Sequence, residues 1–523
     1  MERQLAAIFR TDVKGYGRLM GEDEMATIRT LSPSSMRSYA MLTKQKPSWP
    51  ANPFLQGNFA PVHEEITADN LSVIGTLPPE MDGMFVRNGP NPQFPPLKHY
   101  HWVDGDGMLH GVRIQGGRAS YRNRYVRTQG WQDEHAVGKA LYASFTMDPL
   151  YVTVASVLKN RFHHRLAIKN PANTALVWHD RRLLALWEGG EPHEITVPSL
   201  NTVGPYTYGG QLTHPFTAHP KVDPATGELL FFGCALRPYV QYSVVNAQGH
   251  IARTTSIDIP RPIMMHDFAI TAQYALVMDL PLTFSLWRML RGEPALKFEP
   301  ELGARFGILP RDGTGQDIMW FEVSPCYVMH TLNAYEDGEE VVVLACRTQE
   351  FPDADLMPPG KWPVDGDVRG KEYTPVMYRW RFNLQTGSTR EEALDEVPSE
   401  FPRINDGLMG RQTRYGYTAG WMKYESSELR KYDYAQGSIE RHGHGQGRFG
   451  GEGVFVPRPN ARAEDDGWLV TYVYDAADDT SELVVIEAQD FSAPPVARVR
   501  IPVRVPYGFH GAWIAGEMLA QQG

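Results

Sequence analysis

Short apolar runs alternate with turn-forming glycines, prolines and aspartates along most of the chain. Examples are TALVWHDRRLLALWEG, ELLFFGCALRPYVQYSVVNAQGHIARTTSIDI, EEVVVLACR and WLVTYVYDAADDTSELVVIEA. Runs rich in β-branched and aromatic residues predict strands, and several neighbouring pairs predict hairpins. Few stretches show the longer period of an amphipathic helix. The pattern therefore predicts an all-β fold, either a sandwich, a barrel or a propeller.

Composition and charge remove several classes of function. The chain has 523 residues, with 48 glycines and 40 prolines, in keeping with many turns. Its net charge is -10 and no basic tract stands out, so no nucleic-acid partner is expected. Three isolated cysteines, Cys234, Cys326 and Cys346, do not make a disulfide framework, which favours a cytoplasmic location. The sequence has no uninterrupted run of about 18 apolar residues, so no membrane-spanning helix is expected.

Four histidines stand beside turns and strand-like runs: His219, His266, His330 and His510. Their intervals of 47, 64 and 180 residues exclude a zinc finger or an HExxH helix, whose ligands are close in sequence. A lone histidine is usually a hydrogen-bonded structural residue. These four would ligate one metal only in a fold that brings distant segments together, and imidazole suits Fe, Cu, Zn and Ni alike.

Ordered motifs from NPFLQGNFAPVHEE through FVRNGPNPQF, YHWVDGDGMLHGVR, NTALV, FTAHPKVDP and MMHDFAIT to RVPYGFHGAW cover about nine tenths of the chain. They resemble the carotenoid cleavage oxygenase family, which also includes lignostilbene dioxygenases and the retinal pigment epithelium isomerase. The resemblance implies a seven-bladed β-propeller over residues 52–520, with a helical and loop cap over the iron centre. It also implies that the four histidines hold one Fe(2+) ion per chain, with O2 as co-substrate.

Three glutamates match the family's residues that accept the histidine ring N–H groups: Glu188, Glu400 and Glu452. A site with four neutral ligands keeps the full charge of its metal, so carboxylates are expected around it to fix the rings. Apolar neighbours such as Trp187, Phe401 and Phe455 argue against simple solvation of these glutamates. Thr174 in NTALV matches a threonine whose methyl group crowds an open iron position in some family members.

The expected reaction is cleavage of a conjugated C=C bond in a carotenoid or apocarotenoid, so the expected partner is a lipophilic polyene. A stilbene-cleaving enzyme is the alternative. Lignostilbene-type members bind the substrate phenol through a tyrosine and a lysine, whose places here hold Trp102 and Gln132. An isomerase and a non-catalytic propeller that binds a lipophile also stay open.

Two further segments have their own predictions. Residues 1–31 resemble the opening of a class III nucleotidyl cyclase, with Asp12 at a metal-binding position, but nothing later continues that pattern. They are interpreted as a non-functional remnant, followed by a linker at residues 32–51. Residues 137–168 combine many apolar side chains with a basic end, and the family resemblance implies that this segment makes peripheral membrane contact. An ordinary pair of core-facing helices is the alternative for this segment.

Overall fold

The computed structural model describes residues 49–144, 150–163, 165–166, 168–235, 237–285, 287–288, 295–351, 373–421 and 425–522. One compact unit spans Ala51–Gly523. The cyclase-like segment at residues 1–31 and the linker up to residue 48 lie outside the described residues.

Seven antiparallel sheets form the blades of a β-propeller in the described part of the chain, which confirms the predicted fold. Strands are numbered in chain order, and the first sheet contains strands from both ends of the unit. Its order is β1 (Thr67–Ala68), β5 (Arg118–Tyr125), β4 (Gly107–Gln115), β3 (Gly83–Pro90) and β33 (Gly511–Ala515).

The next three sheets are each built from four strands. They are β6 (Ala175–His179), β7 (Arg182–Leu186), β8 (His193–Ile195) and β9 (Thr202–Pro205); β10 (Lys221–Val222), β11 (Leu229–Cys234), β12 (Val240–Val245) and β13 (Ile251–Ile257); and β14 (Ala269–Ile270), β15 (Tyr274–Asp279), β18 (Ala304–Pro310) and β19 (Met319–Val323). A two-stranded ribbon, β16 (Leu282–Phe284) and β17 (Leu296–Phe298), interrupts the third of these sheets.

The last three sheets complete the ring. They are β20 (Tyr327–Asp337), β21 (Glu340–Thr348), β22 (Val376–Asn383) and β23 (Thr389–Ala393); β24 (Ser399–Arg403), β25 (Tyr415–Gly420), β26 (Glu428–Asp433) and β27 (Ser438–Gly443); and β2 (Val73–Gly75), β32 (Ala497–Ile501), β31 (Thr480–Glu487), β30 (Gly467–Asp475) and β28 (Arg448–Phe449), with β29 (Val454–Pro457) also paired to β30.

The predicted hairpins are confirmed. The β6–β7 pair is joined by Asp180 and Arg181, both with positive φ, as a tight two-residue turn requires. The β12–β13 and β30–β31 pairs are also antiparallel neighbours. Because both faces of each blade pack against other blades, the strands bury apolar side chains on both faces, as in GWLVTYVYD of β30.

The ring closes by pairing distant parts of the chain. Gly83 to Arg87 of β3 pair with Ala515 to Gly511 of β33. Short strand β2, near the start of the unit, pairs with β32 near its end. Among the described residues, two of the seven blades therefore combine strands from both ends of the unit, whereas each of the other five is built from one continuous stretch of chain.

Three α-helices lie among the described residues: α1 (Gln129–Val137), α2 (Leu150–Phe162) and α3 (Gly516–Gln521). Thr128 caps α1, since its Oγ1 accepts the Trp131 N–H, and Gly138 ends the helix with φ of 74°. No helix in the described segments is long and apolar enough to cross a bilayer.

Helix α2 exposes three apolar side chains and buries two polar ones. Val154, Leu158 and Phe162 are 42%, 60% and 82% exposed and recur every four residues, so they share one face. Ser156 and Asn160 are buried, and both donate hydrogen bonds to the Leu141 carbonyl. An ordinary core-facing helix would have the reverse arrangement.

Candidate metal centre

Each of the seven sheets contributes a predicted site residue in or just before an edge strand, and the eighth predicted residue, Glu188, follows β7. In sheet order these residues are His510 before β33, Thr174 before β6, His219 before β10, His266 before β14, His330 in β20, Glu400 in β24 and Glu452 before β29. Because these edge strands converge at the centre of the ring, residues hundreds of positions apart become neighbours.

The structure brings the four predicted histidines into one cluster. One ring nitrogen from each of His219, His266, His330 and His510 lies within 4.8 Å of the others. The Nε2 atoms of His219 and His266 are 3.0 Å apart, and neighbouring rings meet edge to face. The cluster could hold a metal ion, and its members are the four histidines that the motifs predicted as ligands.

The strand ladders are irregular at two of the predicted site residues, His330 and Glu400. The ladder between β20 and β21 shifts register between Val328 and Thr331, around His330. The ladder between β24 and β25 shifts between Glu400 and Arg403. A bulge turns a side chain away from the regular alternation of a strand, and such bulges are frequent next to active sites.

Each predicted glutamate accepts a hydrogen bond from the Nδ1 atom of one histidine. Glu188 bonds His266 at 2.6 Å, Glu400 bonds His330 at 2.5 Å, and Glu452 bonds His510 at 2.9 Å. These bonds place the Nδ1 proton on the glutamate side and direct Nε2 towards the cluster. His219 has no such glutamate in the described part of the chain.

Burial and neighbouring charges shift the pKa values of the buried groups of the centre in different directions. Burial and the neighbouring imidazoles lower the pKa of His219 well below its usual value, so this ring stays neutral. Burial also opposes a charged His266, but the Glu188 carboxylate outweighs it and raises the pKa of His266. Burial alone would raise the pKa of Glu452, yet Arg403 and His510 lower it to about 2.

The arrangement fits a transition-metal ion. A metal–nitrogen bond of about 2.1 Å places nitrogens at right angles about 3 Å apart, close to the His219–His266 spacing. His330 Nε2 is buried without a hydrogen-bond partner in the described part of the chain. A buried, unprotonated ring nitrogen is costly unless something binds its lone pair. Four imidazoles suit Fe, Cu, Zn or Ni.

Thr174 lies beside one ligand. Its carbonyl accepts the His510 N–H at 3.2 Å, and its hydroxyl donates to Asn173 Oδ1 at 3.0 Å. The first of these bonds joins the backbone of the Thr174 segment to the backbone of the His510 segment.

A narrow aromatic cleft opens next to the cluster. Phe401, in the left-handed region with φ of 53°, packs on His330 and His510 at ring distances of 5.7 and 5.3 Å. Trp102, Trp421 and Tyr507 line the cleft with it, and the cleft volume is about 10 Å³. Positive φ in a bulky residue is strained and persists where the surroundings hold it, commonly at functional sites.

The motifs did not identify three further contacts around the ligands. Arg403 Nη1 lies 3.6 Å from Glu452 Oε1, and the Tyr373 hydroxyl donates to Glu400 Oε1. Asp267, immediately after His266, pairs with Lys221. The signal for the last contact was present in the sequence, because charged residues follow two ligands closely in HPK and HDF.

Comparison with known proteins identifies the family of the chain. Residues 59–515 match the family model described as retinal pigment epithelial membrane protein. The carotenoid 9,10(9′,10′)-cleavage dioxygenase 1 of Arabidopsis thaliana is 40% identical over 498 residues, covering 90% of this chain and 91% of the relative.

Solved structures give the same result. Lignostilbene dioxygenase of Pseudomonas brassicacearum superposes with a TM-score of 0.79 at 30% identity, covering 90% of this chain and 100% of the other. A cobalt-substituted apocarotenoid oxygenase of Synechocystis gives a TM-score of 0.76 at 29% identity, covering 87% and 97%. With its seven-bladed ring and central histidine cluster, the chain belongs to the carotenoid cleavage oxygenase family.

Proposed function

We propose that the protein cleaves a conjugated C=C bond of a carotenoid or apocarotenoid with O2, using Fe(II) held by His219, His266, His330 and His510. The convergence of these four imidazoles, three of them bonded to glutamates, carries the proposal. One double bond and one O2 molecule become two carbonyl groups, so atoms balance without another reductant.

The protein's own residues bind and orient the metal. When bound, Fe(II) supplies the capacity to activate O2. Glu188, Glu400 and Glu452 hold three rings in one tautomer and one orientation, so that each Nε2 lone pair points inward. The site contains no carboxylate ligand, so the carboxylates act through the rings.

The aromatic cleft is the proposed place of the polyene. Its walls of Trp102, Phe401 and Trp421 are flat and apolar, which suits a conjugated chain and excludes water from the reacting bond. Because the cleft is about 10 Å³, these walls must move apart when substrate enters. A larger hollow of about 200 Å³ lies elsewhere, and none of the four histidines lines it, so it is not adjacent to the proposed metal.

The relative from Arabidopsis thaliana is named for cleavage at the 9,10 and 9′,10′ bonds. We propose the same bonds for this protein, supported by the 40% identity over nine tenths of the chain.

A stilbene is the second candidate substrate, because a lignostilbene dioxygenase shares the fold over its full length. The positions compared for phenol binding weaken this alternative. Trp102 is buried against Phe509 at a ring distance of 4.5 Å, while Gln132 is exposed on α1 and donates to the Arg127 carbonyl. Neither residue offers a charge to a phenolate.

We further propose that α2 rests on a lipid surface, from which a lipophilic substrate is taken. The exposed Val154, Leu158 and Phe162 would enter the apolar zone, and Lys159 and Arg161 at the end of the helix would lie near headgroups. Burial of Ser156 and Asn160 beneath the helix supports this orientation.

The proposal is tested by turnover. Protein loaded anaerobically with Fe(II) is mixed with detergent-solubilised carotenoids, apocarotenals and resveratrol, O2 is admitted, and the products are identified by mass spectrometry. We expect iron-dependent aldehyde or ketone products from a polyene, with masses that locate the cut bond.

His330→Ala is the matched control, since it removes one ligand and leaves the cleft residues in place. Cleavage of resveratrol alone would favour the stilbene alternative. An isomerised product of unchanged mass would identify an isomerase. Bound polyene without any product, despite bound iron, would identify a non-catalytic binding protein.

A further inference from the structure

The three glutamates of the metal centre differ in their exposure and in their partners other than histidine. Glu188 is 27% exposed, and His266 is its hydrogen-bond donor in the described part of the chain. Glu452 is buried, with the Gly511 N–H at 2.7 Å and Arg403 at 3.6 Å. Glu400 is buried and pairs with no arginine in the described part of the chain, so its charge is satisfied in another way.

Tyr373 supplies that contact. Its hydroxyl donates to Glu400 Oε1 at 2.5 Å, while Glu400 Oε2 accepts His330 Nδ1 at 2.5 Å and the Phe401 N–H at 2.7 Å. Each carboxylate oxygen therefore has at least one donor, and the carboxylate cannot rotate without breaking one of them.

The phenol keeps its proton in this setting. Burial, with the adjacent Glu400 carboxylate, raises the pKa of Tyr373 well above its usual value. The hydroxyl is therefore a permanent donor at neutral pH rather than a second anion.

The Tyr373 ring also packs against the cleft. It meets Trp421 edge to face at 5.9 Å and Phe351 at 5.7 Å, and Trp421 meets Phe401 at 5.8 Å. One residue thus contacts both the carboxylate behind His330 and the aromatic wall proposed to hold the substrate.

We infer that Tyr373 is a positioning residue of the metal centre, which fixes the Glu400 carboxylate and, through it, the ring of His330. The inference rests on the metal site of the proposed function but not on its substrate. Tyr373 does not touch the four histidine ligands, so its effect passes through Glu400.

Co(II) binding tests the inference without turnover. In Tyr373→Phe the ring and its packing remain, and only the donor to Glu400 is lost. We expect the Kd for Co(II) to rise up to about tenfold, the lower end for loss of a partner outside the ligand set. We also expect the visible ligand-field bands of bound Co(II) to shift, because the His330 ring is less constrained.

Tyr327→Phe is the matched control. Tyr327 packs on the same Phe351 ring at 4.7 Å, but its hydroxyl donates to the Met264 carbonyl instead of a glutamate. Loss of the Tyr327 hydroxyl should leave the Co(II) affinity and the spectrum of bound Co(II) unchanged. A Tyr373→Phe protein with unchanged or tighter Co(II) binding and an unchanged spectrum would overturn the inference, as would equal effects of the two variants.

A double variant separates positioning from a general structural role. If Tyr373 acts through Glu400, adding Tyr373→Phe to Glu400→Gln should change the Co(II) Kd much less than it does in the parent protein. Additive effects would contradict the inference. Failure to cleave any polyene, with these Co(II) effects intact, would instead refute only the proposed function.

Discussion

Lys221 Nζ lies 2.7 Å from Asp267 Oδ1, and this buried ion pair joins the segment after His219 to the segment after His266. Asp267 Oδ2 accepts both the N–H and the hydroxyl of Thr331, which follows His330, at 2.8 Å. One carboxylate therefore ties together three of the four ligand segments.

Asp267→Asn should destabilise the fold strongly. The change leaves Lys221 charged and buried without its partner, which typically costs about 3 kcal/mol or more in the free energy of unfolding. Urea unfolding followed by tryptophan fluorescence measures this loss. Glu392→Gln is the control, because this carboxylate pairs with Arg379 but is 52% exposed, so a loss below about 1 kcal/mol is expected. Similar losses in both variants would contradict the special role of Asp267.

Removing the charge of the glutamates should weaken metal binding unequally. Glu452→Gln is expected to raise the Kd for Co(II) by about 10- to 100-fold. Its amide NH2 must face either the His510 Nδ1–H or the Gly511 N–H, and both are donors. Glu188→Gln should have a smaller effect, because its amide oxygen can accept from His266 while the NH2 group faces solvent. Titration with Co(II) gives both values, and a reversed order would refute this account of the site.

Acid should destabilise the protein partly through His110, which lies in β4 and contacts Tyr121 at 2.7 Å. Burial, then Arg87 and Arg504, lower the pKa of His110 well below 6.5. The unfolded chain therefore binds this proton more readily, so the contribution of His110 to stability is complete above about pH 6.5 and is lost as the pH falls further.

His110→Asn tests this linkage. Below pH 6.5 the parent should lose up to about 1.4 kcal/mol of unfolding free energy per pH unit that the variant does not lose. Urea unfolding at pH 7.5 and pH 5.5 compares the two slopes. Parallel slopes would show that His110 is not the titrating group, whatever the absolute stabilities.

The exposed face of α2 should govern binding to vesicles. The double variant Leu158→Asp and Phe162→Asp removes two side chains worth about 1.5–3 kcal/mol each on full burial, so binding should fall at least about tenfold. Flotation with liposomes of mixed anionic and neutral lipids measures the bound fraction. Val203→Asp, at another position that is 62% exposed, should leave the bound fraction unchanged. Equal binding by all three proteins would refute the proposed contact.

The sequence predicted the residues of the centre better than the contacts that hold them. His219, His266, His330 and His510 stand in motifs that are recognisable one by one, and the strand pattern predicted the all-β fold. Tyr373 and Arg403 stand in no comparable motif, because their partners, Glu400 and Glu452, belong to other blades. Such distances depend on the curvature of the whole ring and on two bulges, which no local pattern encodes.

The pairing of β3 with β33 also fixes the order in which the centre is assembled during synthesis. Three of the histidines are made before the last third of the chain, but His510 precedes β33 directly and reaches the middle only once that strand docks on Gly83 to Arg87. A metal ion bound by all four rings would connect this last strand, through His510, to the other three ligand segments. Binding of the metal by all four rings would then require that β33 has paired with β3. Loss of the metal would first loosen the C-terminal strand.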